Sequence, residues 1–429
     1  MKHRRSLILA FVWLAATQAS VWGASAWPEY RGPLQDGHAP DAAPPLQWSE
    51  TENIRWKTPI HDRGWSTPVV LDGKLWMTTA REDGTQMFVV CVDLDDGHIV
   101  FDQKLLDVPN PEPLGNAMNG YASPSAVVEP GRVYVHFGTY GTFCLDAATC
   151  RVIWQRLDLP CRHYRGPGSS PILFEQFLVF HMDGADQQYV IALDKSTGNT
   201  VWRTDRSTDY NDLDEQGRPT QEGDLRKAFN TPLVIHVGNR PLLISPAAKA
   251  AYAYDPSTGR EIWQVRHRGQ ASACRTLFDG QFVFINTGSS VTELLAVRPD
   301  GQGEITASHV GWTQNRYVPQ RSSPVLVDRC IFSCNTSGVA SCVDSRDGKL
   351  IWEERLNGAF TASILHAGGH LYYCSEQGDT YVVRPGRDYQ QVAVNTLGDG
   401  FMASPIAVDR ALYLRSRTHL YRVEAPVTP

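Results

Sequence analysis

Hydrophobic and polar residues alternate in short runs along most of this chain, and the runs come in sets. Each set opens on small residues, usually with a proline, and continues as an apolar alternating stretch. The openings begin at Ser66 ("STPVVLDGKLWM"), Ala122 ("ASPSAVVEPGRVYV"), Ser169 ("SSPILFEQFLVF"), Asn230, Ser272, Ser322, Thr361 and Ala403. From Pro68 to Pro405 they recur at a mean spacing of about 48 residues, a period of the kind that marks repeat architectures. Alternation with period two, broken by turn residues, predicts four short antiparallel strands per repeat.

A second phrase closes five of the repeats. An Asp and an aromatic residue stand eight apart in Asp93…Phe101, Asp146…Trp154, Asp194…Trp202, Asp255…Trp263 and Asp344…Trp352. The residue four after the Asp is Gly97, Gly198, Gly259 or Gly348 in four of them and Cys150 in the fifth. Asp-x-x-x-Gly reads as the turn between the third and fourth strands, with Gly supplying a positive φ. The aromatic ring then serves as a spacer between neighbouring sheets.

One four-stranded sheet cannot bury both of its faces, but eight arranged radially can. The prediction is an all-β, eight-bladed β-propeller of four-stranded antiparallel blades. The eighth repeat ends near Glu424 without a fourth strand. "NIRWKT" at 53–58 carries Trp56 with no repeat before it. It is expected to complete the last blade and close the ring, leaving no open edge. Two repeats deviate: "AVRPDG" at 296–301 and "VVRPGR" at 382–387 replace the Asp turn, and no Trp is expected to follow. Weaker docking is expected there.

Composition adds the compartment. "MKHRR" followed by the 11-residue apolar run "SLILAFVWLAA" and then "ASA" at 24–26 reads as a signal peptide over residues 1–26. The apolar run is too short to span a bilayer. The expected product is a single propeller domain over 27–429, periplasmic or secreted and monomeric, with no membrane span. A net charge of −6 points away from nucleic acid as a partner.

The phrases "ALDKSTGNTVW", "YDPSTGREIW" and "VDSRDGKLIW" resemble the pyrroloquinoline-quinone-like (PQQ-like) propeller repeat, over nearly all of 27–424. "WPEYRGPLQDG" at 27–37 is similar to the first segment of exported members of that superfamily. The superfamily holds quinoprotein alcohol dehydrogenase-like enzymes and BamB-like assembly factors. The resemblance implies either a binding scaffold or, as the alternative, a PQQ-dependent oxidoreductase. The enzymes typically carry adjacent cysteines beside the quinone and a calcium held by carboxylates; this sequence has no Cys-Cys pair and no matching carboxylate stretch. No cofactor and no metal are therefore expected. BamB-like proteins are normally lipid-anchored, and no cysteine follows the apolar run here.

Nine cysteines are present. Cys91, Cys144 and Cys342 share one repeat slot, two before the Asp, where a small core residue is expected. Candidate recognition residues concentrate in the long connections from each fourth strand to the next blade. "PCRHYRGPGSSP" at 160–171 holds His163, Tyr164 and Arg165, and the stretch 209–230 holds Tyr210, Arg226 and Lys227. "TQNRYVPQRSSP" holds Arg316, Tyr317 and Arg321, and "HMDGADQQY" adds Asp183 and Asp186 from the loop on the same side. Long loops on a rigid scaffold are where binding usually sits. Their arginines suit an anionic ligand or a protein or polymer partner. No catalytic residue is assigned.

Overall fold

The computed structural model describes residues 25–426, so residues 1–24 of the expected signal peptide lie outside it. It forms eight antiparallel sheets, each built on four strands. Blades 1 to 4 span Val69–Asp107, Val127–Arg156, Ile172–Asp205 and Leu233–Arg266. Blades 5 to 7 span Leu277–Gln314, Val325–Arg355 and Leu365–Thr396. Blade 8 takes three strands from Ile406–Val423 and its outermost from Ile54–Pro59, which pairs antiparallel with His419–Val423. The ring closes as the sequence predicted. Two short parallel strands are additions, His38–Ala39 on blade 7 and Gly303–Glu304 on blade 4.

The recurring turn has a local cause. In blade 3 the Asp194 carboxylate accepts the backbone N–H groups of Ser196 and Thr197 at 2.9 and 2.8 Å, fixing the reversal. The fourth residue then takes the left-handed conformation, with φ of 75° at Gly198 and 58° at Cys150. Beyond the turn, a register shift in the outermost strand sets Trp202 opposite Ala192, Trp154 opposite Cys144 and Trp352 opposite Cys342. A small residue is needed there because the indole lies across it. All nine cysteines are buried and free.

Each indole docks on the next blade's turn. Trp154 Nε1 donates to the Lys195 carbonyl at 3.0 Å, Trp202 to Pro256 at 3.0 Å and Trp263 to Pro299 at 3.0 Å. Trp352 reaches Gly386 at 3.0 Å, and Trp56 reaches Leu94 at 3.2 Å across the closure. A Cβ on Gly198 would lie 2.6 Å from the Trp154 ring, so glycine serves the packing as well as the turn.

The two deviating repeats correct the sequence reading. In blade 5 an insertion carrying the short strand at 303–304 and a helical turn, Thr306–His309, displaces the aromatic along the chain. Trp312 still reaches the slot: it faces Ala296 and donates to the Ser345 carbonyl at 3.1 Å. In blade 7 the slot holds Ala393, opposite Val382. The ring comes instead from the N-terminal segment. Trp48, 4% exposed, stacks on Tyr372 at 6.3 Å, over the strand residue that faces Val382. Asn395 ties the segment down, accepting the backbone N–H of Trp48 at 2.9 Å and donating to the Leu46 carbonyl at 3.0 Å.

The openings build a second belt, around the axis. Thr67 N–H donates to Ser125 Oγ, Ser125 N–H to Ser170 Oγ and Ser170 N–H to Thr231 Oγ1, at 2.9 to 3.1 Å. After blade 5 the belt resumes from Arg275 N–H through Ser323, Ser363 and Ser404, and returns to Thr67 Oγ1 at 3.3 Å. Seven blades thus supply one hydroxyl each, and the belt breaks only where Arg275 stands in the hydroxyl slot of blade 5.

Candidate functional site

That break is filled by the chain's own N-terminal segment. Arg275 is fully enclosed, and it donates to Glu29 Oε1 at 3.1 Å, to the Tyr30 carbonyl, and to the Pro232 carbonyl at 3.0 Å. Burial pushes the Glu29 carboxyl up to about 7 against the pull of the Arg275 guanidinium. Trp27 exchanges backbone hydrogen bonds with Val70, and Arg31 donates to the Ile364 and Pro324 carbonyls at 2.6 and 3.2 Å. The segment therefore crosses the axis beside the innermost strands. Tyr30 projects into the belt, its hydroxyl 3.1 Å from Ser323 Oγ and 2.9 Å from Ser363 Oγ.

The result is a funnel with a floor. A cavity of 340 Å³ lies over Tyr30 and the hydroxyl belt and opens toward the long inter-blade connections. Trp65, Phe229 and Met402 give it apolar walls, and Gln270 and Asn119 give it polar ones. Its charged lining is Arg165, Lys227 and Arg321 against the single carboxylate of Asp224. Asp224 bridges the first two, pairing with Lys227 and lying 3.4 Å from Arg165 Nε. Burial lowers the Lys227 ammonium, and Asp224 opposes that shift. Tyr164 backs both cations, its ring 4.8 Å from the Arg165 guanidinium and 4.6 Å from Lys227 Nζ.

Of the residues singled out in the sequence, Arg165 and Lys227 line this cavity and Tyr164 supports them. Seven lie elsewhere. Arg226 holds Asp212 through three contacts of 2.5 to 3.1 Å, with Tyr210 stacked beneath at 5.3 Å. Arg316 and Tyr317 both pair with Glu353 on an exposed surface. Asp186 accepts the Arg162 N–H at 2.6 Å and shapes its loop. His163 is buried beside Cys161, and burial lowers it to about 4. Asp183 sits in the blade 3–4 junction, clamped by Arg206 at 2.7 and 2.9 Å. Arg321, from the same loop as Arg316 and Tyr317, does line the cavity. Sequence reasoning missed Trp65, Phe229 and Asp224.

The same junction places Ser245 Oγ 2.8 Å from His181 Nε2, and His181 Nδ1 3.9 Å from Asp183 Oδ2. This has the outline of a nucleophile with its base. All three are at most 2% exposed, the His–Asp distance is too long for a hydrogen bond, and Arg206 holds both ends. No substrate can approach, so the cluster is a buried polar clasp between blades.

The fold and this axial funnel define the class: a PQQ-like, BamB-like propeller. A family model described as "Outer membrane protein assembly factor BamB" matches residues 86–232 and 247–400, well over half of the chain, and the chain belongs to that family. The BamB protein of Yersinia pestis is 25% identical over 179 residues, 40% of this chain and 41% of that protein, so the match spans about two fifths of the relative's length. Among solved structures, BamB from Moraxella catarrhalis superposes with a TM-score of 0.59 at 11% identity, covering 86% of this chain and 99% of that one. Quinohemoprotein alcohol dehydrogenase from Comamonas testosteroni gives 0.66 at 12% identity, covering 94% and 81%. A europium-containing methanol dehydrogenase gives 0.65 at 11%, covering 92% and 91%. At these identities the structures show the fold alone. Among the described residues, no helix is long and apolar enough to cross a membrane.

Proposed function

We propose that this protein is an exported, non-catalytic propeller, residues 27–429 forming one domain after removal of residues 1–26, that binds a protein or polymer partner through its crossover-loop face. The observation that carries the reading is the asymmetry of the axial funnel. One end is plugged by Glu29, Tyr30 and Arg275, while the other opens among long loops with more cations than anions. Membership of the BamB family supports a scaffold acting on other proteins.

The alternative, a PQQ-dependent oxidoreductase, fits the lining poorly. Calcium takes six to eight oxygen ligands with carboxylates among them. The one carboxylate lining the funnel, Asp224, is already shared by Lys227 and Arg165. No step through a quinone follows from these residues.

The test is a photo-crosslinking amino acid placed at Met118 on the funnel rim, 50% exposed, and separately at Arg260 on the turn face. In cells, the Met118 position is expected to capture a discrete partner and the Arg260 position not to. Capture only from Arg260 would overturn the reading. So would dye-linked alcohol oxidation by protein supplied with PQQ and calcium.

A further inference from the structure

The hydroxyl belt does more than lace the blades. Thr67, Ser125, Ser170, Thr231 and Ser404 each accept a neighbour's backbone N–H, and none of the five donates to an acceptor among the described residues. All are at most 6% exposed, and all line the funnel. The belt N–H takes one of the two lone pairs of each hydroxyl, and the O–H, which has no protein acceptor among the described residues, is left to face the cavity. A buried hydroxyl donor without an acceptor is costly, so the floor of the funnel calls for an acceptor-rich occupant.

Higher up, the chemistry changes. Lys227, itself 2% exposed at the side chain, and Arg165 present positive charge on one wall, with Arg321 also at the rim. Asp224 is shared by Lys227 and Arg165, and Glu376 lies 3.9 Å from Arg321, so three cations face two carboxylates and the wall keeps a net positive charge. Trp65 and Phe229 add flat apolar surface, and Gln270 adds an amide. The volume of 340 Å³ is at the small end of ligand pockets. A ring of donors below, an aromatic wall and a cationic wall above fit a molecule with many oxygens, one apolar face and one anionic group.

We propose that the funnel binds an acidic saccharide unit: its ring and hydroxyl oxygens accept from the belt, a sugar face packs on Trp65 or Phe229, and its carboxylate or phosphate pairs with Lys227 and Arg165. This rests on the crossover face being the binding face, and it names what enters the funnel there. The anion has two sources, a uronic acid or a sugar phosphate, and the shared chemistry is the oxyanion on a polyhydroxy ring.

The test is isothermal titration of the full mature protein with glucuronate, glucose 6-phosphate, glucose and inorganic phosphate. At least one of the two acidic sugars is expected to bind, at least tenfold tighter than either glucose or phosphate. Whichever binds identifies the source of the anion. Arg165→Ala, at a partly exposed position, is expected to weaken that binding at least tenfold. Ser170→Ala is expected to weaken binding of acidic sugar and of glucose alike, because it removes a donor rather than a charge. Trp65→Phe, which keeps a ring and so the fold, is expected to retain most of the affinity. No binding of either acidic sugar, phosphate binding as tightly as the sugar phosphate, or affinity unchanged in both Arg165→Ala and Ser170→Ala would overturn the proposal. Crosslinking from Met118 that persists when no sugar binds would leave the partner reading standing and remove this one alone.

Discussion

The junction between blades 1 and 2 is built differently from its neighbours, and the difference can be tested by exchange. Phe101 stands in the slot that holds Trp in most blades, and Cys150 stands where the receiving turn usually has Gly. A groove of 170 Å³ lined by Trp76, Val128 and Ala147 lies in this junction. Lys74 Nζ donates to the Ala147 carbonyl at 3.0 Å, the carbonyl that an indole would otherwise reach. The two departures belong together, because a Cβ at the equivalent Gly97 would lie 2.5 Å from the Trp56 ring. Phe101→Trp beside Cys150 is therefore overpacked, at a cost of about 1–3 kcal/mol. Cys150→Gly alone empties a buried thiol site and loses about 1 kcal/mol. Together they bury about 40 Å² more apolar surface, about 1 kcal/mol, and restore an indole hydrogen bond, about 1 kcal/mol more. The double variant is expected to match or exceed the parent, a coupling of at least about 2 kcal/mol. Urea denaturation of the four proteins measures it. Additive effects, or a stable Phe101→Trp single variant, would refute the argument that Gly and Trp are exchanged as a pair.

Truncating the docked indoles, Trp202→Ala or Trp263→Ala, is expected to cost about 3–5 kcal/mol each in the same assay. Trp48→Ala is expected to be comparable, although Trp48 lies outside every repeat; a loss under about 1 kcal/mol would deny that it replaces the missing ring. Deleting residues 27–60 removes the closing strand and the axial plug together and is expected to cause aggregation, which light scattering follows. Acid is expected to destabilise the fold. Burial holds His136 near 3 and His163, His267 and His366 near 4, below the ordinary value of 6.5. The unfolded chain therefore takes up protons that the folded one refuses, so their contribution is complete above pH 6.5 and is lost as pH falls toward 4. Glu29, raised to about 7, acts in the opposite sense, as do Asp183, His61 and His98, which are also raised. A melting temperature unchanged between pH 7.5 and 5 would contradict this.

The architecture was legible because each blade repeats the same physics. Asp fixes the turn, Gly allows it, and Trp spans to the next sheet, so Asp194…Trp202 announces a blade by itself. Trp312 escaped because an insertion moved it beyond the eight-residue spacing while leaving its partner Ala296 in place. Trp48 escaped because it serves a repeat more than 300 residues away. The Ser and Thr of the openings read as turn residues, yet their hydroxyls form the belt, a role visible only when eight openings meet at one axis. The funnel was partly legible. Arg165 and Lys227 lie in loops chosen for length and charge, but Asp183, in a similar loop, turns inward to Arg206. A carboxylate in a loop and a carboxylate in a blade junction look alike in sequence until the strand end is located.

The central claim is that recognition happens at the funnel face. Hydrogen–deuterium exchange of the mature protein, alone and with the partner captured through Met118, tests it most directly. Added protection is expected in 113–121, 160–170 and 223–231, the connections that carry Met118, Arg165, Asp224 and Lys227, and no change is expected in the turns at 146–150 and 255–260. Protection confined to those turns, with the three connections unchanged, would contradict it.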